Sequence, residues 1–467
     1  MVFSDPVFFA FFAVYFALHL LVPAAYRIYL IIAGSSVFYA WWRVDYLWVP
    51  YLLTIVALIG VPWISGTVSP PIRRRRLAIV IAALFAPLVL IKYSYFMVHS
   101  LIAPLTGGSG FANDAALRLP LPLGLSFVTF TLTAYVVDVY RGQYPPEQRA
   151  PFVFGYVLFF PHLIAGPILR PRELMPQLRR MSRPLKARFT LALAIFTLGL
   201  VKKLVFADQI AGVVDQVWAH EDRRTAWESL LAIYGFSMQI YCDFSGYTDM
   251  AIAVALALRI RLPENFVRPY AAPSVIEFWR RWHITLSYWL RDYLYIPLGG
   301  KGNSLQMRSR NLMITMVLGG LWHGANWTFV VWGALHGAAL SIVHWIRPVL
   351  ARHTMQPPRW LGIFLTFNFV TWGWIYFRAP SVASAHRLIR DLFPVPWPTG
   401  SQLGQFAFPL LLLGSFALLH RFDSHAHVRF ALRRVRPALY WPAIGLCWLL
   451  AITLSQGSSA KFIYFDF

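Results

Sequence analysis

The chain has 467 residues, of which 58% are apolar, 17% aromatic and only 13% charged, with a net charge of +23. A soluble domain carries about 25% charged residues. One buried core cannot explain that deficit, so a soluble globular fold is excluded. The positive charge does not indicate nucleic acid either, because the arginines gather in connections between apolar runs.

A helix needs roughly 20 apolar residues to cross the hydrocarbon core. Candidate spans run at about 7–25, 26–42, 46–66, 77–99, 119–139, 187–216, 228–258, 311–326, 328–346, 361–378, 405–420 and 438–456. Only helices or closed barrels satisfy backbone polar groups in lipid. The runs lack barrel alternation, which predicts an all-α polytopic membrane protein. About twelve transmembrane helices and some re-entrant or interfacial ones are expected around a central funnel.

The first run has no basic segment before it and no small-residue cleavage site, so it reads as a retained helix. Arg73–Arg76 form the first basic cluster. Arg170, Arg172, Arg179, Arg180, Arg183, Lys186 and Arg188 form the second, and Arg429, Arg433, Arg434 and Arg436 the third. Short basic loops stay cytoplasmic. Holding all three there puts both termini outside, provided the interrupted stretches 151–168 and 275–298 dip in without crossing.

Longer polar connections occur only at about 100–118, 379–404 and 421–437. With no repeat, low-complexity tract or soluble segment, residues 1–467 read as one membrane domain. Cys242 and Cys447 lie far apart in apolar runs, so neither a disulfide framework nor a metal site is expected.

Ionisable groups at membrane depth mark sites or pathways, and most fall between Gln239 and His344. Gln239, Asp243, Ser245 and Asp249 sit in one apolar helix. The two carboxylates need partners, which Arg280, Arg281 or Arg291 could supply. Structural roles are favoured for Asp243 and Asp249.

Val275–Ile296 predicts an amphipathic helix with Arg280, His283, Ser287 and Arg291 on one stripe. Such a stripe could rest on headgroups. Lining a funnel, it would suit an anionic substrate such as the phosphates of coenzyme A.

In GGLWHGANW, Gly319–Trp327, His323 lies in an otherwise apolar helix with glycines at 319, 320 and 324. It could be a core histidine among small packing residues. Alternatively, the glycines leave room for another molecule to reach a general base. Gly333, Gly337 and Ser341 form a small-residue packing face, and structural roles are favoured for His336 and His344 beside it.

These residues carry a resemblance. YCDFSGYTDMAIA, RLPENFVRPY, EFWRRWHITLSYWLRDYLYIPLGG and GLWHGANWTFVVWGALHG resemble the membrane-bound O-acyltransferase family. HLIAGPILRPRELMPQL adds a further match. The likeness covers most of the chain, is most diagnostic over 239–345, and looks closest to the alginate O-acetyltransferase and teichoic acid D-alanyl transfer branch. Cys242 stands where an aromatic is more usual, and Ala253-Val254 replaces a glycine-containing pair.

The resemblance implies that His323 is the catalytic histidine and His283 a second signature residue. Arg280, Ser287, Arg291 and Asn326 would form the substrate-binding set. No cofactor is expected. The donor would be an acyl-CoA or acyl-carrier thioester, with acetyl-CoA foremost. The acceptor would be an extracytoplasmic partner protein that passes the group to a polysaccharide such as alginate. The setting would be the lipid of a bacterial inner membrane.

The extracytoplasmic tail 457–467 ends SSAKFIYFDF, similar to other alginate-type transferases. Tyr464 would anchor it at the interface, or carry the acyl group as an ester. Two other functions compete. A transporter or flippase for an anionic lipid or acyl carrier would use the same buried charges, though no inverted repeat is evident. A scaffold would leave those charges unexplained.

Overall fold

The structure, a computed structural model, describes residues 1–66, 68–106, 120–181, 189–221, 224–302, 304–352, 358–393, 400–455 and 460–463. Every regular element among them is helical. Among the described residues, seven helices are long and apolar enough to cross a membrane: 44–65, 70–100, 189–219, 327–349, 359–378, 404–422 and 437–455.

Helix length does not establish the twelve crossings expected. The stretches 7–25, 26–42 and 119–139 form the shorter apolar helices Pro6–Leu21, Ala24–Ala40 and Leu125–Tyr140. The first has 16 residues, about 24 Å at 1.5 Å per residue. That falls short of a hydrocarbon core of roughly 30 Å. Stretch 151–168 breaks into the short helices Ala150–Leu158 and Phe160–Leu163, separated by the non-helical Phe159.

Two compact units make up the chain: 1–189 with 254–263, and 190–253 with 264–467. In the first unit, Pro171–Arg180 is fastened locally. The Arg170 amide donates to Glu173 Oε2 at 2.8 Å. Gln177 Nε2 donates to the Arg261 carbonyl, and the Arg261 amide donates back to Gln177 Oε1, both at 2.9 Å. His162 Nε2 pairs with the Tyr156 carbonyl at 2.8 Å. These bonds employ residues of the HLIAGPILRPRELMPQL string in holding backbone.

The second unit contains the residues singled out for chemistry. The helices that bear on the site are α1 (Phe189–Val201), α2 (Asp208–Ala219), α3 (Ala226–Ala257), α4 (Val275–Trp279), α5 (Ile284–Leu290), α6 (Leu305–His323), α7 (Trp327–Arg352), α8 (Arg359–Arg378), α9 (His425–Arg434) and α10 (Pro437–Ser455). A π-helical turn, Lys202–Ala207, joins α1 to α2.

Two glycines allow α1 and α3 to touch. A Cβ on Gly199 would stand 2.6 Å from the Gly246 carbonyl oxygen, and one on Gly246 would stand 2.7 Å from that of Gly199. Without side chains at the crossing, the backbones approach closely, as small residues permit in membrane helices.

Candidate functional site

The close crossing has a direct chemical consequence. Just past it, the π turn widens the helix, a distortion that often marks functional positions. It presents the adjacent Lys202 and Lys203 to α3. Lys202 Nζ lies 2.7 Å from both Asp249 and Asp423. Lys203 Nζ lies 2.8 Å from Asp208 and 2.9 Å from Asp243.

The expected arginine partners for Asp243 and Asp249 are thus corrected to Lys203 and Lys202. Arg280 and Arg281 pair with Glu277 at 3.5 and 3.0 Å, and Arg291 with Asp292 at 2.6 Å. Those neighbours are one to four residues away, so the arginines are satisfied locally.

From Lys202 the charges continue outward. His425 Nε2 meets Asp249 at 2.7 Å, and His425 Nδ1 lies 3.4 Å from Glu264. Burial disfavours the His425 imidazolium, but the two carboxylates outweigh it and raise its pKa above the ordinary value. Tyr241 completes the group by donating its hydroxyl to Asp423.

The predicted continuous helix over 275–296 is also corrected. It stops at Trp279 and restarts at Ile284, with His283 between in the left-handed region at φ 41°. A non-glycine residue there costs roughly 1–2 kcal/mol, and neighbouring bonds hold it. The Ile284 amide donates to the Asn265 carbonyl at 3.0 Å. The Thr285 amide and hydroxyl both donate to Asn265 Oδ1, at 3.1 and 2.9 Å.

The break separates the intended stripe. His283 is fully buried, whereas the Arg280 and Arg291 side chains are 68% and 53% exposed. The Ser287 hydroxyl donates to the Trp282 carbonyl at 3.3 Å.

His283 and His323 share one aromatic neighbour. The Trp322 ring centre lies 6.0 Å from that of His283 and 4.9 Å from that of His323. His323, the last residue of α6, is buried against Trp332 at 5.3 Å and Phe377 at 5.0 Å. Phe244 flanks His283 at 4.8 Å. One turn further along α7 from Trp332, His336 Nδ1 accepts the Trp279 indole N–H at 3.3 Å.

The glycines of GGLWHGANW do not leave the space expected of them. Gly320 is backed by the Phe329 carbonyl and Gly333, and Gly324 by the Phe329 ring. Packing of α6 on α7 fills both places. The opening lies beyond Gly324, in a cavity of about 710 Å³ lined by Gly324, Ala325, Asn326, Gln239, Phe377 and Arg378, among others.

Asn326 does structural work in this wall. Its Oδ1 accepts the Thr328 amide at 3.1 Å, capping α7, and its Nδ2 donates to the Pro380 carbonyl at 2.9 Å. Gln239 Oε1 is buried with no hydrogen-bond partner among the described residues. Arg378 pairs with Asp215 at 2.7 Å across the same cavity. Ala460, Lys461 and Ile463 complete the lining. Tyr464, the next residue in sequence, lies outside the described residues, as do Arg183, Lys186 and Arg188 of the second basic cluster.

Sequence reasoning missed Lys202, Lys203, Asn265, Asp423 and His425. The adjacent lysines within LGLVKKLVFADQ were the available signal, because two cations deep in an apolar run require partners.

The all-helical architecture with seven apolar helices of spanning length among the described residues defines a multi-pass membrane protein. The membrane-bound O-acyltransferase family model matches residues 147–386. The probable alginate O-acetylase of Azotobacter vinelandii is 40% identical over 90% of this chain and 83% of its own length. That of Pseudomonas aeruginosa is 39% identical over 90% and 82%. The peptidoglycan O-acetyltransferase of Helicobacter pylori is 35% identical over 79% and 74%. The chain belongs to the membrane-bound O-acyltransferase family and is an acyltransferase.

Proposed function

We propose that this enzyme is an O-acetyltransferase of the bacterial inner membrane, acting as one catalytic domain over 1–467. It takes the acetyl group from acetyl-CoA, offered at the cytoplasmic face. It passes the group to an extracytoplasmic partner protein, and thence to a polysaccharide such as alginate. The observation that carries this reading is the position of His323, buried at the end of α6 with the next three residues walling a cavity.

Sidedness supports it. α6 begins near Arg308 and Arg310 and ends at His323. α7 begins at the cavity and runs towards Arg347, while α10 starts after Arg436 and leads to Ala460. These three basic ends lie away from the cavity, where Arg378 is neutralised by Asp215; the positive-inside tendency then assigns the cavity to the extracytoplasmic side.

Chemically, the neutral imidazole of His323 takes the proton of the acceptor hydroxyl as its oxygen attacks the thioester carbonyl. The carbon–sulfur bond breaks, and the imidazolium returns that proton to the leaving thiolate. His283 supports the same reaction centre through Trp322. Arg280, Ser287 and Arg291 meet the anionic donor, and Asn326 shapes the acceptor wall. Tyr464 supplies the first acceptor hydroxyl; a hydroxyl of the partner then attacks its acetyl ester, taking the acetyl group and giving its proton to the restored phenol.

The direct test offers acetyl-CoA to the purified full-length protein in bilayer discs. Release of free coenzyme A, lost in His323→Ala, is expected. Binding or movement of acetyl-CoA without thioester cleavage would establish the transporter reading instead.

A further inference from the structure

Ala460–Ile463 enters the second unit without belonging to any long helix, so its backbone groups need partners from elsewhere. Three side chains supply them. Lys203 Nζ donates to the Ala460 carbonyl at 2.8 Å. The Ala460 amide donates to Asp208 Oδ2 at 3.2 Å, and the Ile463 amide donates to Asp243 Oδ2 at 2.7 Å. One lysine between two carboxylates is satisfied as a charge, and the spare carboxylate oxygens accept backbone amides. The neighbouring Lys202 group differs: its partners are the side chains of Asp249 and Asp423.

The captured segment has a buried side and a side turned to the cavity. Phe462 points inward, fully buried, stacked on Tyr247 at 4.5 Å and against Phe244 at 5.9 Å. Phe244 is the ring that flanks His283. Ala460, Lys461 and Ile463 line the cavity, so fixing this backbone fixes both the buried ring and the wall.

We propose that Lys203, Asp208 and Asp243 form a clasp that holds Ala460–Ile463 as a fixed wall of the cavity beside His323, and are positioning residues for acyl transfer. The clasp stands on geometry alone, while its bearing on transfer rests on the function proposed above.

The test has two arms on the full chain: the labelling arm carries Cys242→Ala, Cys447→Ala and Ile463→Cys, and the transfer arm carries none of these three substitutions. The first measures labelling of the introduced thiol by a water-soluble maleimide. The second measures O-acetyl groups on exported alginate, at equal protein level, in an alginate-exporting host lacking its own O-acetylase. Lys203→Met with Asp243→Asn removes the lysine and one of its two carboxylates, and takes the lysine from Asp208 as well.

This pair of changes should raise the labelling rate about tenfold by freeing the segment, and should abolish transfer. Lys203→Arg should restore slow labelling and transfer together. Unchanged labelling in the double variant would overturn the clasp. Faster labelling with full transfer would overturn the positioning role. If the parent chain transfers nothing, the proposed function fails, and the labelling arm still decides the clasp.

Discussion

His283 and His323 are the residues on which the account turns, and their surroundings separate their roles. His323 ends a helix beside the cavity, with aromatic rings on its other sides. His283 is fully buried in a strained backbone position. Arg280 and Arg291 keep their charged ends largely exposed. Removing an exposed cation weakens capture of an anionic donor without touching the reacting atoms. Arg280→Ala or Arg291→Ala should therefore raise KM for acetyl-CoA several-fold and change kcat little. His283→Ala should lower kcat at near-constant KM, because the buried ring positions the centre and not the donor. Steady-state coenzyme A release checks this split, and equal effects on kcat from all three variants would contradict it.

What the sequence disclosed about these residues was their identity and density. His283, His323, Asp243 and Asp249 stood out because ionisable groups are rare in apolar runs. Their pairing was not legible. Helical periodicity presumed an unbroken helix over 275–296, whereas Asn265 caps a restart at Ile284 and turns His283 out of the stripe. A capping bond from 20 residues upstream leaves no periodic signature.

Between elements, the decisive contact is the glycine crossing of α1 and α3. It brings the π turn within ion-pair distance of Asp243 and Asp249. A larger residue at the crossing overpacks it, at about 1–3 kcal/mol. Separating a buried ion pair adds about 3–5 kcal/mol when a charge is left alone. Gly199→Leu should accordingly lower the thermal midpoint of the detergent-purified protein steeply. Gly212 on α2 is the control, since a Cβ there meets nothing within 4 Å. Gly212→Ala should hold or slightly raise the midpoint, because alanine is favoured over glycine in a helix by about 0.5–1 kcal/mol. Similar midpoints for Gly199→Leu and Gly212→Ala would show that the crossing does not set the ion pairs. Neither the crossing nor the turn could be read beforehand. Gly199 and Gly246 look like ordinary helix glycines until their helices are known to meet, and a π turn has no composition of its own.

For the whole molecule, composition and apolar runs without barrel alternation indicated an all-helical membrane protein, and the motifs from Gln239 to Trp345 indicated the acyltransferase family. The number of crossings was less accessible. Hydropathy marks apolar stretches but not where helices end, so 7–25 and 119–139 read as spans while their helices are shorter. The site is built from segments far apart in sequence: 202–208, 239–249, 283, 322–326, 377–380 and 460–463. Only a fold that gathers them makes a cavity next to His323.

The most direct measurement of the central claim is polysaccharide O-acetylation in an alginate-exporting host deprived of its own O-acetylase. The wild-type chain should restore O-acetyl groups to the exported polymer. His323→Ala, inserted in the membrane at the same level, should reduce them by the 10²–10⁴-fold, in order of magnitude, that loss of a general base implies. Near-normal O-acetylation by His323→Ala would contradict the account.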